Sequence, residues 1–275
     1  MRKRLFALLL IPLLLVTPTY AAPQEPALRL PIVMYHHISK EPSRWNDYVI
    51  SLSEFESDLS WLRSHGYETV SLRELLAWTE GAFIMPEKPC MITFDDGFES
   101  TAAYAEPLLE RFGFCGVVAV IGSACERFSA LDEHDPELSN LSWADARELA
   151  ERGTIEVQCH TWELHSLWPR SGCRKKQGES EAQYRYLLSM DLARYLVGCR
   201  ENGVAAVPGI AYPYGAYSPE TAAAVRDFGF RAAFTCTEKI NLLTGAGEEL
   251  YHLGRYNRPH GSNSEEFFSK WEENS

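Results

Sequence analysis

Carboxylate and imidazole side chains follow apolar runs at two places in the sequence. Asp95 and Asp96 follow the run Cys90–Phe94, and His160 and His165 follow another such run. One Asp oxygen with two imidazole nitrogens is a common open ligand set for Zn²⁺ or a similar divalent ion, with positions left for water and substrate. Because adjacent side chains on a strand point to opposite sides, one carboxylate can ligate a metal while the other acts as a base.

Each motif alone also has a purely structural interpretation. Asp95-Asp96-Gly97 fits a tight turn, which Asp and Gly favour. A lone pair of histidines is more often hydrogen-bonded in a core or at a surface than bound to a metal. The two motifs together favour an open metal site.

The elements that must position these residues alternate between short apolar runs and amphipathic stretches. Helix starts are predicted from capping signals at Ser53-x-x-Glu56, Ser71-x-x-Glu74, Ser142-x-x-Asp145 and Ser218-Pro219. Strands are predicted at Ile32–Tyr35, Glu68–Val70, Cys90–Phe94, Val117–Ile121, Ile155–Cys159, Ala205–Tyr212, Ala232–Cys236 and Leu250–Arg255. Repeated strand-then-helix units predict an α/β fold, a single distorted (β/α) barrel with seven or eight parallel strands. In such a barrel the working residues lie at the strand ends.

The composition is that of a globular chain, with 45% hydrophobic and 23% charged residues in a length of 275. Asp and Glu total 38 against 26 Lys and Arg, a net charge of −12, which disfavours binding to nucleic acid or to anionic lipid. The seven cysteines are odd in number, so we expect at least one thiol that is free or paired with another molecule.

The N-terminus is predicted to direct export. Basic residues precede an apolar run from Leu5 to Val16, which at about 1.5 Å per residue is much shorter than the roughly 30 Å hydrocarbon core of a membrane. We therefore predict a signal peptide at residues 1–21, with an uncleaved anchor as the alternative. A Pro-rich lead-in at 22–30 and one catalytic domain at 31–275 would follow. We expect a secreted or cell-envelope monomer without a spanning segment in its mature form.

Three motifs resemble those of the polysaccharide deacetylases, the NodB homology domain of carbohydrate esterase family 4. Ile92-Thr-Phe-Asp-Asp-Gly97 resembles the first motif, and His160-Thr161-x-x-x-His165 resembles the second, although most members space these histidines four apart. Ala211-Tyr-Pro-Tyr-Gly215 is similar to the third, with Ala where many members have Arg. The histidine spacing, together with Pro31-Ile-Val-Met-Tyr-His-His37, resembles the branch that deacetylates poly-β-1,6-N-acetylglucosamine.

The resemblance implies a metal-dependent N-deacetylase that hydrolyses the acetamide of N-acetylglucosamine residues. Asp95 would be the catalytic base, and Asp96, His160 and His165 would hold one divalent ion, zinc or else cobalt or nickel. A water activated by that ion would be the nucleophile. The backbone N–H of Tyr214 would help to stabilise the oxyanion.

Several roles around this centre remain open. In the branch named above, the resemblance implies His36 as the general acid and His37 facing the opposite way, with His252 or a structural His36 as alternatives. Arg255 or Arg258 could replace the Arg missing at Ala211, or could be structural. Tyr212, Tyr214 and Trp162 are predicted to offer aromatic faces to a sugar.

Three alternatives concern the function as a whole. The first is a deacetylase of peptidoglycan, and the second is a deacetylase of chitin-like oligomers. The third is a noncatalytic carbohydrate-binding relative that has lost turnover.

Overall fold

The computed structural model describes residues 27–245 and 247–273. The predicted signal peptide at 1–21 and the first half of the predicted lead-in lie outside these residues. The strands are β1 (Leu28–Leu30), β2 (Ile32–Tyr35), β3 (His37–Ser39), β4 (Val49–Ser51), β5 (Glu68–Thr69), β6 (Pro89–Phe94), β7 (Gly116–Val120), β8 (Ile155–Cys159), β9 (Gly209–Ala211), β10 (Ala232–Phe234), β11 (Asn241–Leu243) and β12 (Tyr256–Asn257). The α-helices are α1 (Leu52–Ser64), α2 (Leu72–Thr79), α3 (Glu106–Phe112), α4 (Gly122–Leu131), α5 (Trp143–Arg152), α6 (Glu181–Glu201), α7 (Pro219–Asp227) and α8 (Ser264–Glu273).

The main sheet is parallel and has the order β12-β2-β6-β7-β8-β9-β10, with β5 pairing with β6 beside this path. It curls into a half-barrel, which confirms the predicted distorted (β/α) barrel. The strands β2, β6, β7 and β8 are completely buried, because helices or loops cover both faces of a parallel sheet. This explains why their sequences are continuous apolar runs.

Strand register brings the chemistry-bearing segments to one edge. Tyr35 pairs with Phe94 at the ends of β2 and β6, and Cys159 pairs with Ile210 near the ends of β8 and β9. The residues that follow these strands therefore leave the sheet at the same edge, as expected for a barrel of this class.

Helix boundaries follow the capping signals with one correction. The capping boxes at Ser71 and Ser142 form as predicted, and α7 begins at Pro219. However, α1 begins two residues earlier than predicted, because Ser51 and Glu54 form its capping box instead of Ser53 and Glu56. Both Ser–Glu pairs have the required spacing. Because β4 ends at Ser51, the helix begins directly after it and uses the pair Ser51 and Glu54.

The last predicted strand was misplaced. Residues Glu248–His252 form a 3-10 helix, and the strand β12 follows it at Tyr256–Asn257. The strand predicted at Ala205–Tyr212 is also shorter, because only Gly209–Ala211 pairs in the sheet. In the described part of the chain, no helix has both the length and the apolar character needed to cross a membrane.

Candidate active site

The ends of β2, β6, β8 and β9 open into a cavity of about 650 Å³. Pockets for small ligands commonly enclose roughly 300–1,000 Å³. The lining comprises Met34, His36, His37, Tyr48, Val49, Asp95, Asp96, Phe98, His160, His165, Leu167, Tyr214, Cys236 and Asn257. The fold thus brings the predicted base, acid and metal ligands together with Tyr214, whose positions in the chain span almost 180 residues.

Asp96, His160 and His165 form a group that could hold a metal ion. Asp96 Oδ1 lies 3.3 Å from His160 Nε2 and 3.0 Å from His165 Nε2, and one ligand atom from each residue lies within 4.8 Å of the others. His160 is buried, whereas Asp96 and His165 are partly exposed to the cavity. One carboxylate and two imidazoles leave room for further ligands.

Hydrogen bonds around His160 show why this group fits a cation. His160 Nδ1 lies 2.9 Å from the carbonyl oxygen of Ala211, which can only accept, so Nδ1 carries a proton and donates it. In the neutral ring, Nε2 then presents a lone pair to the oxygen of Asp96. Two lone pairs at this separation repel each other unless a positive charge lies between them, and a divalent cation supplies that charge.

The electrostatics of the group lead to the same conclusion. Burial opposes ionisation of Asp96, but the adjacent imidazoles of His160 and His165 hold the pKa of its carboxyl well below the usual range. Burial also disfavours a charged His160, yet the nearby carboxylates of Asp95 and Asp96 raise its pKa. The site therefore favours an ionised Asp96 carboxylate and also favours positive charge next to it, as a metal ion would supply.

Asp95 lies beside this group and is held by an arginine from a distant segment. Arg255 Nη1 and Nη2 donate to the two oxygens of Asp95 at 2.6 and 2.8 Å, and Arg255 is completely buried. Burial favours the neutral carboxyl, but the charges of Arg255 and His160 lower the pKa of Asp95. Asp95 is therefore ionised and fixed in orientation by a two-pronged contact.

Arg255, and not Arg258, provides the positive charge that many similar proteins have at the position of Ala211. Ala211, where many similar proteins have Arg, contributes only its carbonyl oxygen to the site. Arg258, the other candidate, pairs with Asp58 in the core and does not line the cavity. The charge beside Asp95 thus comes from a residue just before β12.

Three site residues have left-handed backbone conformations that non-glycine residues rarely adopt. The φ angles are 69° at Asp96, 69° at Thr161 and 58° at Tyr214. Such conformations cost of order 1–3 kcal/mol each and concentrate at functional sites. Gly97 also has φ of 67°, and a Cβ there would lie 3.0 Å from Val120, so a side chain in the turn after Asp96 would be strained and crowded.

The two adjacent histidines near the N-terminus both line the cavity. We expected His37 to face away from His36, but the extended strand is interrupted between β2 and β3 at His36, and alternation fails there. His37 is buried, with Nδ1 2.9 Å from Ser100 Oγ and its ring against Phe98. His36 is partly exposed, and burial lowers its pKa.

Two predicted aromatic contacts with substrate need correction. Trp162 is almost completely buried and packs where Gly122 and Gly198 leave space for its ring. Tyr212 is completely buried and stacks on Tyr217, with 5.2 Å between ring centroids. Neither residue lines the cavity, because both side chains are packed in the core. Tyr214 does line it, and its hydroxyl lies 3.2 Å from His165 Nδ1.

His252, the alternative acid, is not among the residues of the cavity lining. It lies in the 3-10 helix before β12, with its ring 5.4 Å from that of Tyr217. Sequence reasoning missed Tyr48, Phe98, Leu167, Cys236 and Asn257, which line the cavity from loops and from the last strands. No motif marks them, since their approach depends on tertiary structure.

Comparison with known proteins identifies the family. The family model described as polysaccharide deacetylase matches residues 84–233. The chain is 25% identical over 222 residues to the poly-β-1,6-N-acetyl-D-glucosamine N-deacetylase of Escherichia coli K12, which covers 74% of this chain and 33% of the relative. It is 27% identical over 194 residues to the enzyme of the same name from Staphylococcus aureus MSSA476, covering 70% of this chain and 63% of that one. The chain thus spans a third of the first relative's length and just under two thirds of the second's.

Solved structures share the same fold. The Streptococcus pyogenes deacetylase PplD in complex with acetate is 19% identical, with a TM-score of 0.71, and the match covers 89% of this chain and 99% of that one. IcaB from Ammonifex degensii is 27% identical, with a TM-score of 0.67 and coverage of 86% and 93%. With the family model matching more than half of its length, the chain belongs to the polysaccharide deacetylase family.

Proposed function

We propose that the protein is a metal-dependent N-deacetylase that hydrolyses the acetamide of N-acetylglucosamine residues in a polysaccharide. The observation that carries the proposal is the convergence of Asp96, His160 and His165 on one point of the cavity, beside the Asp95–Arg255 pair. A pure binding protein has no need of an open ligand set next to an oriented carboxylate, so this arrangement favours an enzyme over a noncatalytic relative.

Asp96, His160 and His165 would hold the ion, with zinc the first choice and cobalt or nickel as alternatives. When bound, the ion supplies Lewis acidity that polarises the acetamide carbonyl and makes water more acidic. The hydrogen bond to the Ala211 carbonyl fixes the His160 ring so that Nε2 faces Asp96 and would be free to ligate an ion. These contacts orient the ligands before any substrate arrives.

Asp95 takes the proton of the attacking water. Its two oxygens accept from Arg255, so the carboxylate keeps a fixed orientation in the lining of the cavity. The backbone N–H of Tyr214 is assigned to the developing oxyanion. The left-handed conformation of Tyr214 turns the backbone sharply beside His165.

His36 is the proposed acid for the leaving amine, which is a poor leaving group until protonated. It lines the cavity together with Asp95 and Asp96. Burial lowers the pKa of His36, although both carboxylates oppose that shift. A lower pKa makes the imidazolium a stronger proton donor while reducing its protonated fraction at neutral pH.

The glycan proposed is poly-β-1,6-N-acetylglucosamine, which the names of the Escherichia coli and Staphylococcus aureus relatives support. Peptidoglycan and chitin-like oligomers are the competing substrates for the same chemistry. The N-terminal sequence supports an exported protein, with a signal peptide at 1–21 and a catalytic domain at 31–275.

The test measures acetate and free amine released from β-1,6- and β-1,4-linked N-acetylglucosamine oligomers, before and after chelation. We expect release to stop on chelation, to return with Zn²⁺, Co²⁺ or Ni²⁺, and to be faster with β-1,6 linkages. His165→Ala should lose both bound metal and activity, whereas His134→Ala, at an exposed histidine outside the cavity, should keep both. Glycan binding without metal or acetate release would favour the noncatalytic alternative.

A further inference from the structure

An exposed aromatic side chain lies in the wall of the cavity on the side of β3. Tyr48 is 59% exposed, although it lines the same cavity as Asp95 and His160, which are almost completely buried. Its ring packs edge-on against that of His36, with 5.0 Å between centroids. Tyr48 is therefore at the mouth of the cavity, directly beside the proposed acid.

The loop that carries Tyr48 is tightly braced by hydrogen bonds. Asn46 Oδ1 accepts from the Tyr48 N–H at 2.8 Å, and the Tyr48 carbonyl accepts from the N–H of His37 at 3.1 Å. Asn257 Nδ2 donates to the carbonyl of Asp47 at 2.9 Å, which ties the loop to β12. The backbone of the loop is held from both sides and the ring packs on His36, so little order has to be gained on binding.

A second exposed tyrosine lies beside the metal-ligating group. Tyr214 is 46% exposed, and its ring centroid is 4.6 Å from that of His165. Tyr214 follows β9, whereas Tyr48 precedes β4 and contacts the segment after β2. Since β6, β7 and β8 lie between β2 and β9 in the sheet, the two rings flank the polar centre from different sides.

We propose that Tyr48 is a substrate-positioning residue, on whose face the apolar side of a sugar ring stacks next to the residue being deacetylated. The inference rests on the proposed function and extends it to a second sugar residue of the bound chain. The acetamide must reach the buried floor at Asp95, so the neighbouring sugars of a polymer lie over the mouth, where Tyr48 is exposed. Pyranose rings present C–H groups that pack well on an aromatic face.

This assignment also replaces the platforms that the sequence suggested. Trp162 and Tyr212 are buried in the core and cannot meet a glycan without unfolding their surroundings. Tyr48 offers the same chemistry at the surface and needs no rearrangement.

The experiment compares Tyr48→Ala, Tyr48→Phe and wild type on an N-acetylglucosamine pentamer and on a small aryl acetate ester. We expect Tyr48→Ala to raise KM for the pentamer about tenfold with little change in kcat, because stacking on an aromatic ring is lost. Tyr48→Phe should match wild type, and hydrolysis of the small ester should be unchanged in both variants. Tyr186→Ala, at an even more exposed tyrosine on α6 that lies outside the cavity, is the control.

Equal KM for wild type and Tyr48→Ala on the pentamer would overturn the inference and leave the proposed function intact. A parallel loss of kcat on pentamer and ester would overturn it as well, since it would indicate damage to the catalytic centre. If wild type released no acetate from any oligomer, the proposed function would fail. Pentamer affinity measured by calorimetry for wild type and Tyr48→Ala would then decide the inference alone, with equal affinities overturning it.

Discussion

Two arginines three positions apart make the same contact in two different regions of the molecule. Arg255 pairs with Asp95 at the cavity, and Arg258 pairs with Asp58 of α1 in the core. Both arginines are buried, and both contacts use two nitrogens and both carboxylate oxygens. By charge and burial alone the two pairs cannot be told apart.

The carboxylates differ in how many donors surround them. Asp58 accepts from Arg258, from the hydroxyl of Tyr35 at 3.0 Å and from the hydroxyl of Ser264 at 2.7 Å. Asp95 accepts from Arg255 and otherwise faces the cavity. The donors around Asp58 leave no open side at which a water or a substrate could approach, whereas Asp95 lines the cavity and can be reached there. Unfilled acceptor capacity at a cavity, rather than the ion pair itself, marks the functional aspartate.

The pKa shifts also separate the two regions. Burial raises the pKa of Asp58 despite the neighbouring Arg258. At Asp95 burial acts in the same direction, but Arg255 and His160 outweigh it and lower the pKa. The core pair therefore stabilises one packing arrangement, while the cavity pair keeps a carboxylate ionised beside the proposed metal ligands.

The largest effect is expected at the cavity. Asp95→Asn removes the proton acceptor, so acetate release per folded molecule should fall by roughly 10²- to 10⁴-fold. Steady-state kinetics with an N-acetylglucosamine oligomer checks this, with circular dichroism to confirm folding. Full activity in Asp95→Asn would contradict the assignment of Asp95 as the base.

The matched change in the core should alter stability instead. Asp58→Asn leaves Arg258 buried without its partner, which should lower the free energy of unfolding by roughly 3–5 kcal/mol. Chemical denaturation measures this loss, and kcat of the protein that remains folded should be unchanged. A stable Asp58→Asn protein with low kcat would reverse the roles given to the two pairs.

A smaller effect should follow from changing the arginine at the cavity. Arg255→Lys keeps the charge but loses the two-pronged contact, so Asp95 becomes less well oriented and kcat should fall roughly 10- to 100-fold. Arg258→Lys is the control, with kcat unchanged and the melting temperature lowered. Equal kcat in both variants would remove the positioning role of Arg255.

The smallest effect concerns the pH dependence of stability, which Glu54 at the start of α1 should influence. Hydrogen bonds from Gly261, His260 and Ser51 lower the pKa of Glu54 from 4.5 to about 2, although burial opposes the shift. Because the pKa is depressed in the folded state, this stabilisation is present above about pH 4.5 and is lost as pH falls toward 2. Glu54→Gln should reduce the loss of stability across this window by on the order of 1 kcal/mol. The free energy of unfolding is measured by denaturation at several pH values. The same pH dependence in wild type and Glu54→Gln would contradict this prediction.

The sequence was most informative where neighbouring residues act together. Asp95, Asp96, His160 and His165 follow apolar runs whose strand character could be predicted, and parallel pairing then brings strand ends together. The capping signal at Ser71 worked for the same reason, because a helix start depends on residues close in sequence.

Contacts between distant segments could not be predicted. Arg255 reaches Asp95 across 160 positions, and nothing near either residue distinguishes it from Arg258. The misplaced strand at Leu250–Arg255 has a similar cause, since the apolar run there forms a 3-10 helix that packs beside β10. The burial of Trp162, which prevents it from acting as a sugar platform, could not be predicted either. The space that Gly122 and Gly198 leave for its ring is not visible in the sequence.

The most direct test of the metal-dependent mechanism is acetate release as a function of bound metal. Wild-type protein is stripped with a chelator, reloaded with graded Zn²⁺, and assayed on a β-1,6-linked N-acetylglucosamine oligomer while metal content is measured by mass spectrometry. We predict that activity rises in proportion to bound metal and saturates at one ion per chain, held by Asp96, His160 and His165. Undiminished acetate release from the stripped, metal-free protein would contradict the account.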